Sequence, residues 1–231
     1  MRTWRVRVAR GEQGISRGSQ TFTVQLEERM TVLDALFRIQ HEHDASFTFR
    51  CACRVGMCGT CATSINGVPR LACRTRAVVL GGDTITVEPL PHLPVIRDVV
   101  VSMEPFFEQW KRVTPGFRAV RADSKELAIV PESSEYMRST GDKRDCITCG
   151  ACYGACGVKG TSGEYLGPAA INRAFLRIVD PRDNAAAERK RVLDSERAGV
   201  WRCHTRYDCV DVCPKGISLT DTIQRLKRAM L

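Results

Sequence analysis

Twelve cysteines stand in this 231-residue chain, and their grouping is the feature most able to do chemistry. They form three sets: Cys51, Cys53, Cys58, Cys61 and Cys73; Cys146, Cys149, Cys152 and Cys156; and Cys203, Cys209 and Cys213. Grouped thiols serve disulfides in oxidising compartments and metals or clusters in reducing ones. The opening stretch, MRTWRVRVARGEQG, has no apolar run after its arginines, so a secretory leader is not expected and a cytoplasmic setting is. The cysteines are therefore expected to hold iron or another metal.

Cys53-x4-Cys58-x2-Cys61, followed by a lone Cys73, has the spacing of a plant-type 2Fe-2S site, in which four thiolates hold two irons. Gly56 and Gly59 lie between the ligands, where the loop must wrap closely and aim backbone N–H groups at sulfur. Zinc also takes four cysteines, but its sites usually pair two short Cys-x2-4-Cys units, unlike this three-plus-one arrangement on a β-grasp-like pattern. Cys51 would need six residues before Cys58 instead of four, so it reads as a non-ligand: a small hydrophobe or a weakly exposed thiol.

Cys146-x2-Cys149-x2-Cys152-x3-Cys156 is the bacterial ferredoxin run, whose fourth cysteine serves another cluster. Cys213, followed by Pro214, then completes a 4Fe-4S site with Cys146, Cys149 and Cys152. Cys156 joins Cys203 and Cys209, where a four-iron centre would want a cysteine at position 206; Arg206 stands there and cannot ligate iron. Three ligands point to a 3Fe-4S cluster, with a 4Fe-4S centre carrying a water ligand as the alternative. His41 and His43 have one residue between them and no further histidine nearby, so they read as a solvated helix end. The role of His92, among prolines, is open.

Two different folds must hold these sets. Trp4, Val6 and Val8, then Phe22, Val24 and Leu26, alternate with polar residues as half-buried strands do. Thr31 is placed to cap a helix reaching Gln40, Asn66-Gly67 marks a hairpin between residues 62–65 and 69–73, and Ile85 to Val87 supplies a last strand. Pro89, Pro91 and Pro94 are taken as a linker. Beyond it the pattern is helical: a stripe from Val99 through Trp110, a segment opened by Gly167-Pro168, a polar stretch from Asn184 to Ala198, and a final helix from Ser218 to Met230, with Ser218 as a possible cap. The expected class is α+β, with a β-grasp plant-type 2Fe-2S ferredoxin domain over residues 1–97 and an all-α bacterial-type two-cluster ferredoxin domain over residues 98–231.

The formal charge is +9, with 35 Lys and Arg against 26 Asp and Glu. Three bound clusters at about −2 each would leave roughly +3. The basic residues lack aromatic interleaving, so no nucleic-acid partner is expected. No run approaches the roughly 18 apolar residues a membrane-spanning helix needs.

The chain resembles the iron-sulfur subunit of succinate dehydrogenases and fumarate reductases, the succinate:quinone oxidoreductases. The likeness rests on Cys53-Arg54-x-Gly56-Met57-Cys58-Gly59-Thr60-Cys61, on Leu71-Ala72-Cys73, on Leu93 through Val101, on Cys146-Ile147-x-Cys149-x-x-Cys152, on Gly167-Pro168-Ala169, and on Cys203-His204-Thr205 with Val212 through Gly216. It implies an electron-transfer subunit, with no catalytic residue of its own, of a multi-subunit oxidoreductase. Such a subunit passes electrons between a flavoprotein carrying FAD, where succinate and fumarate react, and a quinone. Its implied setting is the cytoplasmic side of the cell membrane, held there by cytochrome b-type anchor subunits.

Two positions match family residues near the quinone, His204 and Lys227; surface packing for the first and a favourable place at a helix C-terminus for the second are the alternatives. Cys156 is followed by Gly157-Val158-Lys159-Gly160-Thr161-Ser162, where many members have proline and then a tryptophan-containing stretch. That departure motivates a second expectation: an iron-sulfur module of a soluble fumarate-reductase-like flavoenzyme served by a thiol or protein donor. A third, a zinc-stabilised interaction protein, requires colourless protein without labile sulfide.

Overall fold

The structure, a computed structural model, describes residues 1–120 and 129–231. The chain forms two compact units. One comprises Met1–Pro105 with Ile147–Ala155 and Val212–Pro214; the other comprises Phe106–Cys146, Cys156–Asp211 and Lys215–Leu231.

The first unit is built on a seven-stranded sheet. The long strand β1 (Arg2–Glu12) pairs antiparallel with β2 (Ile15–Leu26), Trp4 opposite Val24 and Val6 opposite Phe22. Their alternating residues, Trp4, Val6, Val8, Phe22, Val24 and Leu26, all turn inward and are buried, as a half-buried sheet of period two requires. α1 (Val32–Arg38) covers that face; Thr31 and Asp34 form a reciprocal capping box at its start. After the first cysteine loop come β3 (Ala62–Ile65) and β4 (Val68–Leu71), joined by Asn66 and Gly67, both at positive φ. β5 (Thr84–Glu88) then runs parallel to β1, Val6 opposite Ile85.

The sheet continues past the prolines. β6 (Val95–Arg97) and β7 (Val100–Val101) add to it, so the apolar stripe expected to be helical from Val99 starts instead as a strand. Asp98 explains the turn: it is buried at φ 49°, and its carboxylate accepts from the Gly11 and Thr48 N–H groups and pairs with Arg10. Three consecutive β-branched valines then favour extended backbone. The helix α2 (Glu104–Arg112) begins only after Ser102, whose hydroxyl accepts from the Glu104 N–H.

In the second unit α3 (Glu135–Thr140) is followed, beyond the inserted α4 (Ala151–Gly154) of the first unit, by α5 (Gly157–Thr161), α6 (Pro168–Ile178), α7 (Ala186–Leu193), α8 (Asp208–Asp211) and α9 (Leu219–Met230). Its core packs Ile171, Ala174 and Phe175 of α6 against Leu193, Val200, Ile223 and Leu226. Pro168 opens α6 at a position where its missing N–H costs nothing. Ser218 precedes α9, but its side chain makes no capping bond; its N–H donates to Asp142 instead.

Candidate iron-sulfur centres

The first cysteine set brackets the β3–β4 hairpin. Cys53 and Cys58 lie on the loop before β3, Cys61 lies immediately before that strand, and Cys73 follows β4 in a short turn. Hairpin geometry is what brings the lone Cys73 back to its partners: the Ala72 N–H donates to the Cys61 carbonyl. Met57 and Cys58 donate their backbone N–H groups to Cys53 Sγ at 3.2 and 3.3 Å. Backbone N–H groups of Val55 and Cys58, aided by the Cys58 side chain, bring the Cys53 thiol down to about 6. Arg54, Gly56 and Gly59 all have positive φ, which turns successive amides inward as an anion-binding nest. Burial pushes the Cys61 thiol up to about 12, and Cys73 and Cys58 act on it as well. Of these four thiols, Cys61 and Cys73 are buried, while Cys53 is half-buried and Cys58 exposed. Cys51 packs against the apolar core.

Cys149 and Cys152 lie on the segment the first unit takes from later in the chain. Thr148 and Gly150 adopt positive φ there, and Cys152 is buried on α4. The segment is seated closely: a Cβ on Gly59 would stand 2.7 Å from the Cys149 Cβ.

Cys156, Cys203 and Cys209 line one cavity in the second unit, with Tyr165, Thr220 and the backbone-strained loop from Cys203 to Tyr207 around it. Thr205 and Tyr207 both have positive φ, a conformation that costs non-glycine residues energy and collects at ligand sites. Burial raises the Cys156 thiol, and burial pushes that of Cys209 up to about 11, with each of the other two thiols acting on it. Cys203 Sγ accepts from the Thr205 N–H at 3.4 Å. Arg206, in the place of a fourth ligand, is largely exposed and pairs with Asp208 at 3.1 Å. Three cysteines lining one cavity, with Arg206 paired to Asp208 where a fourth cysteine would stand, fit a three-iron centre by the chemistry of the donor set.

His204 is exposed at the rim of this cavity. Lys227 on α9 donates from Nζ to the Cys203 carbonyl at 2.9 Å, and Gln224 donates to the Thr205 hydroxyl at 2.8 Å. Both contacts tie the loop to the helix. His41 and His43 are exposed at a helix end beside the Phe37 and Phe22 rings. Tyr165, Thr220 and Lys159 are the residues of this region that spacing did not mark, although Lys159 stands three positions after Cys156 and Tyr165 two before Gly167-Pro168.

Fold and donor sets together define an iron-sulfur electron-transfer protein. Residues 3–108 match the family described as a 2Fe-2S iron-sulfur cluster binding domain, and residues 142–217 match the 4Fe-4S dicluster domain. The chain is 35% identical over 218 residues to the mitochondrial succinate dehydrogenase [ubiquinone] iron-sulfur subunit of Dictyostelium discoideum, covering 90% of this chain and 75% of that one. It is 37% identical over 201 residues to the iron-sulfur subunit 1 of Oryza sativa subsp. japonica, covering 87% and 71%. A solved structure of the Mycobacterium smegmatis Sdh1 complex in the apo form superposes with a TM-score of 0.87 at 27% identity, over 99% of this chain and 95% of that one. The chain belongs to the succinate dehydrogenase iron-sulfur subunit family.

Proposed function

We propose that this chain is the electron conduit of a succinate dehydrogenase or fumarate reductase complex, linking the FAD of a flavoprotein subunit to a quinone beside a membrane-anchor subunit. In this reading Cys53, Cys58, Cys61 and Cys73 hold the 2Fe-2S cluster of a β-grasp plant-type ferredoxin domain. Cys146, Cys149, Cys152 and Cys213 hold 4Fe-4S, and Cys156, Cys203 and Cys209 hold 3Fe-4S, in a bacterial-type two-cluster domain. The clusters supply one-electron carriers; the substrate chemistry resides on the flavoprotein. What this chain's residues do is bind, order and tune. The Cys53 nest stabilises negative charge, the β3–β4 hairpin sets the ligand positions, and α9 anchors the Cys203 loop through Lys227.

The observation that carries the reading is the three-thiol cavity in which Arg206, paired with Asp208 at 3.1 Å, occupies the place of a fourth cysteine. His204 at its rim, with Lys227 behind, is assigned to the quinone side. Among the described residues no helix is long and apolar enough to cross a membrane. Attachment is therefore assigned to anchor subunits, on the cytoplasmic side of the membrane.

Affinity purification from native cells under anaerobic conditions tests this. Co-purification of a flavoprotein and a membrane protein, with about nine irons per chain, is the expected result. Recovery of a flavoprotein alone in the soluble fraction, active with a soluble thiol or protein donor, would replace the quinone with that donor. Zinc without labile sulfide would overturn the redox reading.

A further inference from the structure

The three-thiol cavity contains more than its ligands. Tyr165 is 1% exposed and lines it, with its hydroxyl meeting the Cys203 thiol. Thr220, also 1% exposed, places its hydroxyl 3.7 Å from Cys209 Sγ at the start of α9. A ligating sulfur is a thiolate and has no proton to give, so in a loaded site both hydroxyls must donate.

Lys159 explains why Tyr165 stays in place. Its amine is turned inward and donates to the Gly163 carbonyl at 2.7 Å and the Tyr165 carbonyl at 2.8 Å. These bonds span the run between α5 and α6 and fix the backbone from which the phenol projects. A buried cation held this way is a costly arrangement for a surface loop.

We propose that Tyr165 and Thr220 are the side-chain donors that set the reduction potential of the centre held by Cys156, Cys203 and Cys209, with Lys159 as the residue that positions Tyr165. The proposal rests on the cluster assignment above. Reduction adds one negative charge to the centre, and a hydrogen bond to sulfur is stronger in the more negative state, so each donor raises the potential. One electron passes from a reduced mediator to the centre; no covalent bond breaks, and both hydroxyls keep their protons.

The test is a mediated redox titration of the intact complex, followed by electron paramagnetic resonance of the oxidised three-iron signal. Tyr165→Phe keeps the ring and removes only the donor, and Thr220→Val does the same for the second. Each is expected to lower the equilibrium constant for reduction about tenfold, equivalent to 59 mV for a one-electron couple. Lys159→Met is expected to give a downward shift, which Lys159→Arg restores. Tyr207→Phe, which removes an exposed phenol at the same cavity, is the control and should leave the potential unchanged.

A three-iron signal whose potential is the same in Tyr165→Phe, Thr220→Val and the parent overturns the proposal while leaving the cluster assignment intact. Absence of the three-iron signal from the parent complex overturns the assignment itself. A shift in Tyr207→Phe equal to that in Tyr165→Phe would show that the cavity responds without regard to which hydroxyl meets sulfur, and would also overturn the proposal.

Discussion

Gly59→Ala should damage two cysteine loops with one methyl group. Gly59 has φ 73°, and a Cβ added there would lie 2.7 Å from the Cys149 Cβ, 2.9 Å from its Cα and 3.1 Å from the Ile147 carbonyl oxygen. Carbon atoms sit comfortably at about 3.5–4.0 Å, so the segment must retreat by about 0.8 Å or more. The obstructing atoms are backbone and a Cβ, and no flexible side-chain tip is available to yield. A left-handed conformation costs an L-residue about 1–2 kcal/mol, and forced overlap in packed surroundings adds about 1–3 kcal/mol. Gly67→Ala separates the two costs. Gly67 has nearly the same φ, 77°, in the β3–β4 turn, but nothing lies within 4 Å of an added Cβ, so only the conformational cost applies.

At about 2–4 °C per kcal/mol for a chain of this size, Gly67→Ala should lower the melting temperature of the loaded protein by about 2–8 °C. Gly59→Ala should lower it by roughly twice as much and should also reduce the iron retained, because Cys149 is displaced. Calorimetry with iron and labile-sulfide analysis reads both. Equal melting losses in the two variants, with full iron content in each, would refute the steric argument.

Three further outcomes follow from the geometry. Arg206→Cys places a thiol beside Cys203 and Cys209 in a four-iron spacing, so resonance spectra should show loss of the three-iron signal; an unchanged three-iron centre would count against the grouping of these cysteines. Arg189→Met should destabilise the second unit by about 3–5 kcal/mol in denaturant unfolding, since Arg189 is fully buried, grips Asp183 at 2.5 Å and donates to the Thr114 and Gly116 carbonyls. A loss below about 1 kcal/mol would show that the pair is not confined as described. Burial raises the Asp183 carboxyl, but the Arg189 bond and the Ala185 and Arg118 N–H groups outweigh it and hold the group below its ordinary value. Its stabilising contribution is therefore complete above about pH 4, the unfolded value, and is lost as pH falls through the lower folded value. Unfolding free energy measured between pH 6 and 3 should fall less steeply in Asp183→Asn than in the parent.

The strands of the first unit were legible because one face of the sheet is buried and the other wet: Trp4, Val6 and Val8 write that contrast at period two. α1 was legible because Thr31 and Asp34 are local partners, three residues apart. The extension through β6 and β7 was not, since its cause is Asp98 receiving the Gly11 and Thr48 N–H groups, both distant in sequence. Ser218 shows the converse, a cap residue by type whose hydroxyl makes no capping bond, while its N–H donates to the sequence-distant Asp142.

The cysteine sets could be proposed from sequence because ligand spacing is a local constraint: a loop of fixed length can present sulfurs to a cluster only at certain separations. Spacing also marked Arg206 as standing where a four-iron centre would want a cysteine. It carried no trace of Tyr165 and Thr220, which stand far apart in the chain and are ordinary core residues by type. Only folding, with Lys159 gripping the run between α5 and α6 and α9 delivering Thr220, brings their hydroxyls to two of the sulfurs. The sequence by itself thus determined where thiols gather along the chain and what grouping to expect of them, because those constraints are short-ranged. The tertiary structure decided which sulfurs are sealed, which receive hydrogen bonds and which face solvent, because burial and long-range contacts exist only once the units have packed.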